Sequence, residues 1–173
     1  MRLYLIGMPG AGKTTLGRAL AVAYEVPFVD LDEEIVRHEG RTVVDIFQNE
    51  GEAYFREREA AVLRLVLKRY PRLVLATGGG TPCFHNSLDL LLETGLTLYL
   101  AVSTTELLRR VMRAAATRPL LAPARDEAAL LLRLDETLRA RQEFYERAPL
   151  RCSPPACTLP AVRELIDRFR TTA

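Results

Sequence analysis

"LIGMPGAGKTTLG", residues 5–17, sets three glycines and a proline among its first eight positions and follows them with Lys13, one of only two lysines in the chain. An apolar run, Leu3 to Ile6, leads into it. Leu16, Ala19, Leu20 and Ala23 recur after it at helical spacing, so the stretch reads as strand, loop and helix. Residues Gly7 to Thr14 satisfy G-x-x-x-x-G-K-[ST]. Small residues are needed where backbone N–H groups converge on phosphate oxygens, and the following helix offers free N–H groups and a positive dipole end. Gly10, Ala11, Gly12, Lys13, Thr14 and Thr15 are therefore candidate ATP-phosphate contacts. Lys13 would sit near the β and γ phosphates, and the Thr14 hydroxyl would serve Mg²⁺. The plain alternative is a glycine turn opening a helix; the flanking strand and amphipathic helix favour the phosphate site.

Working outward, "VPFVDLD" (26–32) predicts a second strand ending in two acids, and 42–70 a helix in two pieces around Gly51. "RLVLATGGG" (72–80) predicts a third strand and "LTLYLAV" (96–102) a fourth. A capped helix follows from "STTELLRRVMRAAA", then a Pro-rich irregular stretch at 117–128, a long helix over 127–147, a weak edge strand within 150–159 and a last helix over 160–170. Alternating strands and helices imply a parallel sheet covered on both faces, with ligands beyond the carboxyl ends of its strands. The glycine loop, Asp30 with Asp32, and Gly78–Gly80 all fall at such ends.

Side chains two apart in a strand share a face, so Asp30 and Asp32 are expected to point the same way at the end of the second strand. One would assist the metal and the other would accept a hydrogen bond from a substrate hydroxyl; an N-cap pair before the next helix is the alternative. Arg56, Ala60, Leu63, Leu67 and Tyr70 form a helical stripe, as do Leu134, Leu138, Arg141 and Tyr145. Each inward guanidinium needs an anion. Glu59 or Glu143 would suffice; a bound carboxylate would suit arginine's planar donors as well. A strand ending in Gly78-Gly79-Gly80 either turns tightly or receives a ligand against its backbone.

Composition excludes several classes. The 173 residues are 49% hydrophobic, enough for a sizeable core, and carry 24 basic against 22 acidic residues. The arginines are interleaved with acids, as in "REREAAVLRL" (56–65), which argues for solvated helix faces and against nucleic acid. Cys83, Cys152 and Cys157 are odd in number and form no C-x-x-C pair, so neither a disulfide framework nor a zinc site is expected. His38 and His85 read as surface or turn residues. No run approaches transmembrane length and "MRLYLIG" is too short for a signal-peptide core, so a soluble cytoplasmic protein is expected.

In order and spacing, "GMPGAGKTT", "FVDLD", "FREREAAVL", "LATGGG", "TRPLL" and "RQEFY" resemble the shikimate kinase family over about residues 3–147. The resemblance implies a three-layer α/β/α fold of the nucleoside-monophosphate-kinase type with a five-stranded parallel sheet, in one domain over 1–173. It implies a mobile lid at about 113–126, for which a rigid surface loop is the alternative, and a substrate-binding helical segment at about 32–60. The activity implied is Mg²⁺-dependent transfer of the ATP γ-phosphoryl group to the 3-hydroxyl of shikimate, a step of chorismate and aromatic amino-acid biosynthesis. Gluconate kinase is the nearest alternative. By similarity Asp32 holds the accepting hydroxyl, Arg56 and Arg141 hold the shikimate carboxylate, and Gly78, Gly79 and Gly80 line the ring. Thr14 and Asp30 serve the metal, and Arg118 comes from the lid. A monomer without nucleic-acid or membrane partners is implied. The departure is at "CSPPACTLP" (152–160), which lacks the arginine the family often offers to adenine there; Arg109 and Arg110 are the substitutes considered.

Overall fold

β1 (Arg2–Ile6) is the innermost of five parallel strands, and its Leu3, Tyr4, Leu5 and Ile6 are wholly buried. A strand with no exposed face requires helices on both sides of the sheet. The computed structural model describes residues 1–117 and 126–172. After β1 come α1 (Lys13–Ala23), β2 (Phe28–Asp30), α2 (Leu31–Glu39), α3 (Val43–Arg69) and β3 (Leu73–Ala76). A 3₁₀ turn (Thr81–Cys83), α4 (Ser87–Thr94), β4 (Leu96–Leu100) and α5 (Thr104–Thr117) follow. α6 (Glu127–Tyr145), β5 (Leu150–Cys152) and α7 (Leu159–Thr172) complete the order. The strands lie in the order β2-β3-β1-β4-β5, the five-stranded parallel sheet expected.

Register positions the site. Leu5 of β1 and Asp30 of β2 both pair with Ala76 of β3, so three strands finish at one level. Their next residues enter the glycine loop, α2 and the three-glycine turn side by side. Side-chain caps set the helix starts that matter here. Asp30 accepts from Asp32 N and starts α2, a Thr42–Asp45 capping box starts α3, and Asp126 accepts from Ala128 N and Ala129 N at α6. α1 has no side-chain cap; Gly12 stands before it at φ 97°, which leaves the first N–H groups facing the loop.

Gly51 interrupts α3 at φ 81°, ψ 176°, the two-piece helix expected. Two readings change. β2 ends at Asp30, because that side chain caps a helix beginning one residue later; Asp32 therefore stands in the first turn of α2, and strand alternation does not govern it. α4 had no counterpart in the sequence reading: eight residues dominated by leucine are too short to display a helical period. Among the described residues no helix is long and apolar enough to cross a membrane.

Candidate active site

Lys13, the first residue of α1, is buried, and its Nζ donates to the carbonyls of Gly7 and Met8, both at 2.9 Å. An ammonium has three protons, so this fold-back anchors the charge at the loop and leaves one donor for a further acceptor. Burial lowers its pKa to about 8 against the pull of Asp32 and Asp30. Gly10 and Gly12 hold φ at 78° and 97°, conformations that favour glycine, and so turn the loop's backbone around this point.

Asp30 does two jobs. Oδ1 caps α2, and Oδ2 accepts from the Thr14 hydroxyl at 2.8 Å. The cap and metal-site readings of this residue are thus compatible. Asp32, in the first turn of α2, lines the same cleft. Its carboxyl is pushed up to about 6, first by desolvation, then by Asp30 and Glu59, with Lys13 and Arg56 opposing. The residue keeps substantial solvent contact at the open side of the cleft.

Gly78, Gly79 and Gly80 are where the separate segments meet. A Cβ on Gly78 would lie 2.7 Å from Glu59 Oε1 and 3.1 Å from Asp32 Oδ1. On Gly79 it would lie 2.7 Å from Pro9 Cδ and 2.9 Å from an Arg141 terminal nitrogen. On Gly80 it would lie 2.5 Å from Arg56. The tight turn read from the sequence is present, with Thr81 N donating to Gly78 O and Cys83 N to Gly80 O, and side chains of Glu59, Asp32, Pro9, Arg141 and Arg56 approach its glycines closely. One cleft of about 440 Å³ runs from Gly10, Lys13 and Thr14 past Asp30 and Asp32 to Gly78 and Gly79. A hollow of about 780 Å³ elsewhere is walled by α7 alone and gathers none of these groups.

The two inward arginines differ. Arg56 is buried and already paired, donating to Glu59 at 2.9 Å and to Glu52 at 3.1–3.2 Å, with Phe84 against its face at 4.5 Å. Glu59 is the structural partner weighed from sequence. Glu52 was missed, although its spacing of four from Arg56 is a signal available in the sequence. Glu59 also accepts from Thr81 at 2.6 Å, which ties the pair to the glycine turn. Arg141 is half-buried, lies against Gly79 and is close enough to Lys13 to lower its pKa. Among the described residues no carboxylate is within ion-pair reach of it.

A protein-family model described as shikimate kinase matches residues 9–169. The chain belongs to the shikimate kinase family. A shikimate kinase of Bacteroides thetaiotaomicron is 40% identical over 148 residues, 86% of this chain and 83% of that one. One of Bordetella pertussis is 45% identical over 143 residues, 83% of this chain and 65% of its own length. The crystal structure of shikimate kinase from B. thetaiotaomicron superimposes with a TM-score of 0.83 at 32% identity, covering 99% of this chain and 97% of that one. Shikimate kinase from Acinetobacter baumannii in complex with shikimate gives the same TM-score and identity over 99% and 93%. A gluconokinase from Sinorhizobium meliloti, at 17% identity and TM-score 0.54, shares the fold alone.

In this shikimate kinase chain a second hollow, of about 390 Å³, adjoins the phosphate cleft, sharing Gly12 and Thr15 with it and adding Ala11, Leu16, Arg110 and Cys157. Arg110 Nη1 donates to Ala11 O at 2.9 Å and Gly10 O at 3.2 Å. Arg110 Nε also donates to Glu106 at 2.8 Å, and Arg109 pairs with the other oxygen of that carboxylate while staying exposed. Arg118 and positions 118–125 of the expected lid lie outside the described residues; 113–117 continue α5.

The cysteine expectation is corrected. Cys152 and Cys157 form a disulfide across a separation of five, with Cα atoms 5.3 Å apart, while Cys83 is free. The chain doubles back between β5 and α7 and brings them within bonding range, which no C-x-x-C test could detect. Titration of the oxidised, unfolded protein with a thiol reagent should therefore find one reactive cysteine, and a dithiol should raise it to three. Closing so short a loop stabilises by roughly 2 kcal/mol, so reduction should lower the thermal midpoint. Three thiols under oxidising conditions would contradict the assignment.

Proposed function

We propose that this chain transfers the γ-phosphoryl group of ATP to the 3-hydroxyl of shikimate, giving shikimate 3-phosphate and ADP. The observation that carries the proposal is the three-glycine turn, against which Asp32, Arg56 and Arg141 converge from three separate helices beside Lys13. A flat, side-chain-free wall suits a ring, and a guanidinium next to it that meets no carboxylate among the described residues suits a ring carboxylate. Membership of the family and likeness to a member solved with shikimate support the same acceptor.

Phosphoryl transfer asks for alignment and charge neutralisation. The loop N–H groups and Lys13 hold the phosphates. Asp32 orients the accepting hydroxyl and takes its proton as the bond to phosphorus forms. Arg141 binds the acceptor carboxylate. Arg56, caged by Glu52 and Glu59, presents its remaining donor edge to the same group in a fixed orientation. The adenine fits the hollow walled by Ala11, Leu16, Arg110 and Cys157, on the far side of the loop from the acceptor. Arg118 is assigned to the migrating phosphoryl group on the family pattern in "TRPLL" alone.

Thr14 and Asp30 would hold Mg²⁺. Both are oxygen donors, 2.8 Å apart, and a small hard cation that keeps several waters takes one or two such ligands plus substrate phosphate. When bound, the ion would neutralise charge on the β and γ phosphates. Dependence on ATP supports a cytoplasmic setting.

ADP release measured over shikimate, gluconate and nucleoside monophosphates tests the reading. Shikimate should be the acceptor; equal ADP release with no acceptor would replace it with a simple nucleotide hydrolase. Arg141→Ala should raise KM for shikimate by at least ~10-fold, the scale of losing a hydrogen bond to a charged group, and leave KM for ATP within about twofold. Equal losses for both ligands would indicate a folding defect instead.

A further inference from the structure

Tyr145, the last residue of α6, is completely buried, yet its hydroxyl is used. Oη donates to the carbonyl of Gly79 at 2.5 Å, linking residues 66 positions apart. The Arg141 guanidinium, one helical turn earlier, makes a polar contact with the same phenol. Arg141 also lies directly against Gly79, where a Cβ would be 2.9 Å away. Gly79, Arg141 and Tyr145 therefore close a triangle. The ring itself stacks on Tyr99 of β4, centroids 5.1 Å apart, which fixes the triangle to the sheet.

We infer that Tyr145 is a positioning residue for the acceptor, its hydroxyl setting both the Gly79 peptide and the Arg141 guanidinium in the orientation that receives the ring acid. This rests on the proposed shikimate reading of the site. The physical need is specific. Arg141 has a long, rotatable side chain and, among the described residues, no carboxylate to fix it. A single buried oxygen that donates to the Gly79 carbonyl, with Arg141 against the same glycine and one helical turn away, restricts both at once. Apolar packing could be supplied by phenylalanine; this coupling could not.

Tyr145→Phe removes the oxygen and keeps the ring against Tyr99. KM for shikimate should rise roughly 3- to 10-fold, the range for one buried hydrogen bond, and that rise should exceed any change in turnover or in KM for ATP. In an Arg141→Ala background the same change should raise KM for shikimate by a smaller factor than in the wild type, because the part of its effect that runs through the guanidinium is gone. Thermal unfolding of each variant reports folding separately. An unchanged KM for shikimate, matching rises for both substrates, or full additivity in the double variant would overturn the role. If wild-type protein itself fails to phosphorylate shikimate, the functional reading fails; if it succeeds while Tyr145→Phe is indistinguishable from it, only the role of Tyr145 fails.

Discussion

Lys13→Met should cut turnover by at least ~100-fold, the scale of removing one preorganised donor from a developing charge. The residue opens α1 at the N-terminal end of the helix dipole, and its two bonds to Gly7 and Met8 carbonyls hold the ammonium where β and γ phosphates would meet the loop. Methionine keeps the length and loses the charge. Removal of the buried charge does not in itself destabilise the fold. A lysine whose folded pKa is depressed to about 8 by burial favours the folded state most above its ordinary value, and that contribution is lost as pH falls from about 10.5 through 8. At neutral pH the buried charge therefore weighs against the fold, and methionine relieves it. Turnover with thermal unfolding decides the matter: a stable variant with near-normal turnover would remove Lys13 from the phosphate site. In the wild type, ATP binding should weaken above about pH 8, as free protein loses the charge.

Asp32→Asn should lose transfer by ~100-fold or more, within the range for a positioned acid or base, while still binding ATP. The amide is isosteric and cannot accept the hydroxyl proton. Desolvation, helped by Asp30 and Glu59, raises the carboxyl to about 6, so kcat/KM for shikimate in the wild type should fall as pH drops through 6. The stability consequence has the opposite sign. A carboxyl whose folded pKa is raised contributes stability that is fully present below about 4 and lost as pH rises through 6. At neutral pH the ionised Asp32 therefore costs the fold something, and the asparagine variant should unfold no earlier than wild type. Such a cost is expected at a site arranged for chemistry. Retained transfer, measured by ADP release with shikimate and alongside ATP titration, would exclude Asp32 from the reaction.

The chain's own order of residues determined the phosphate loop, the parallel sheet and the inward arginines, because each is a local matter. Eight consecutive residues specify the loop, and periods of 3 and 4 along a helix specify which face Arg56 and Arg141 share with their apolar neighbours. The start of α2 was misread by one element boundary, since whether Asp30 ends a strand or caps a helix depends on a single hydrogen bond to Asp32 N. Only the tertiary structure decided which anion each arginine meets. Arg56 is satisfied by Glu52 and Glu59 on its own helix, whereas Arg141 is carried by a separate helix to Gly79 and, among the described residues, meets no carboxylate there. The same holds for the Cys152–Cys157 bond and for the contact of Tyr145 with Gly79. These depend on how the backbone doubles back and on how closely three glycines allow other segments to approach. Spacing along a chain records which residues share a face; it does not record which faces come together.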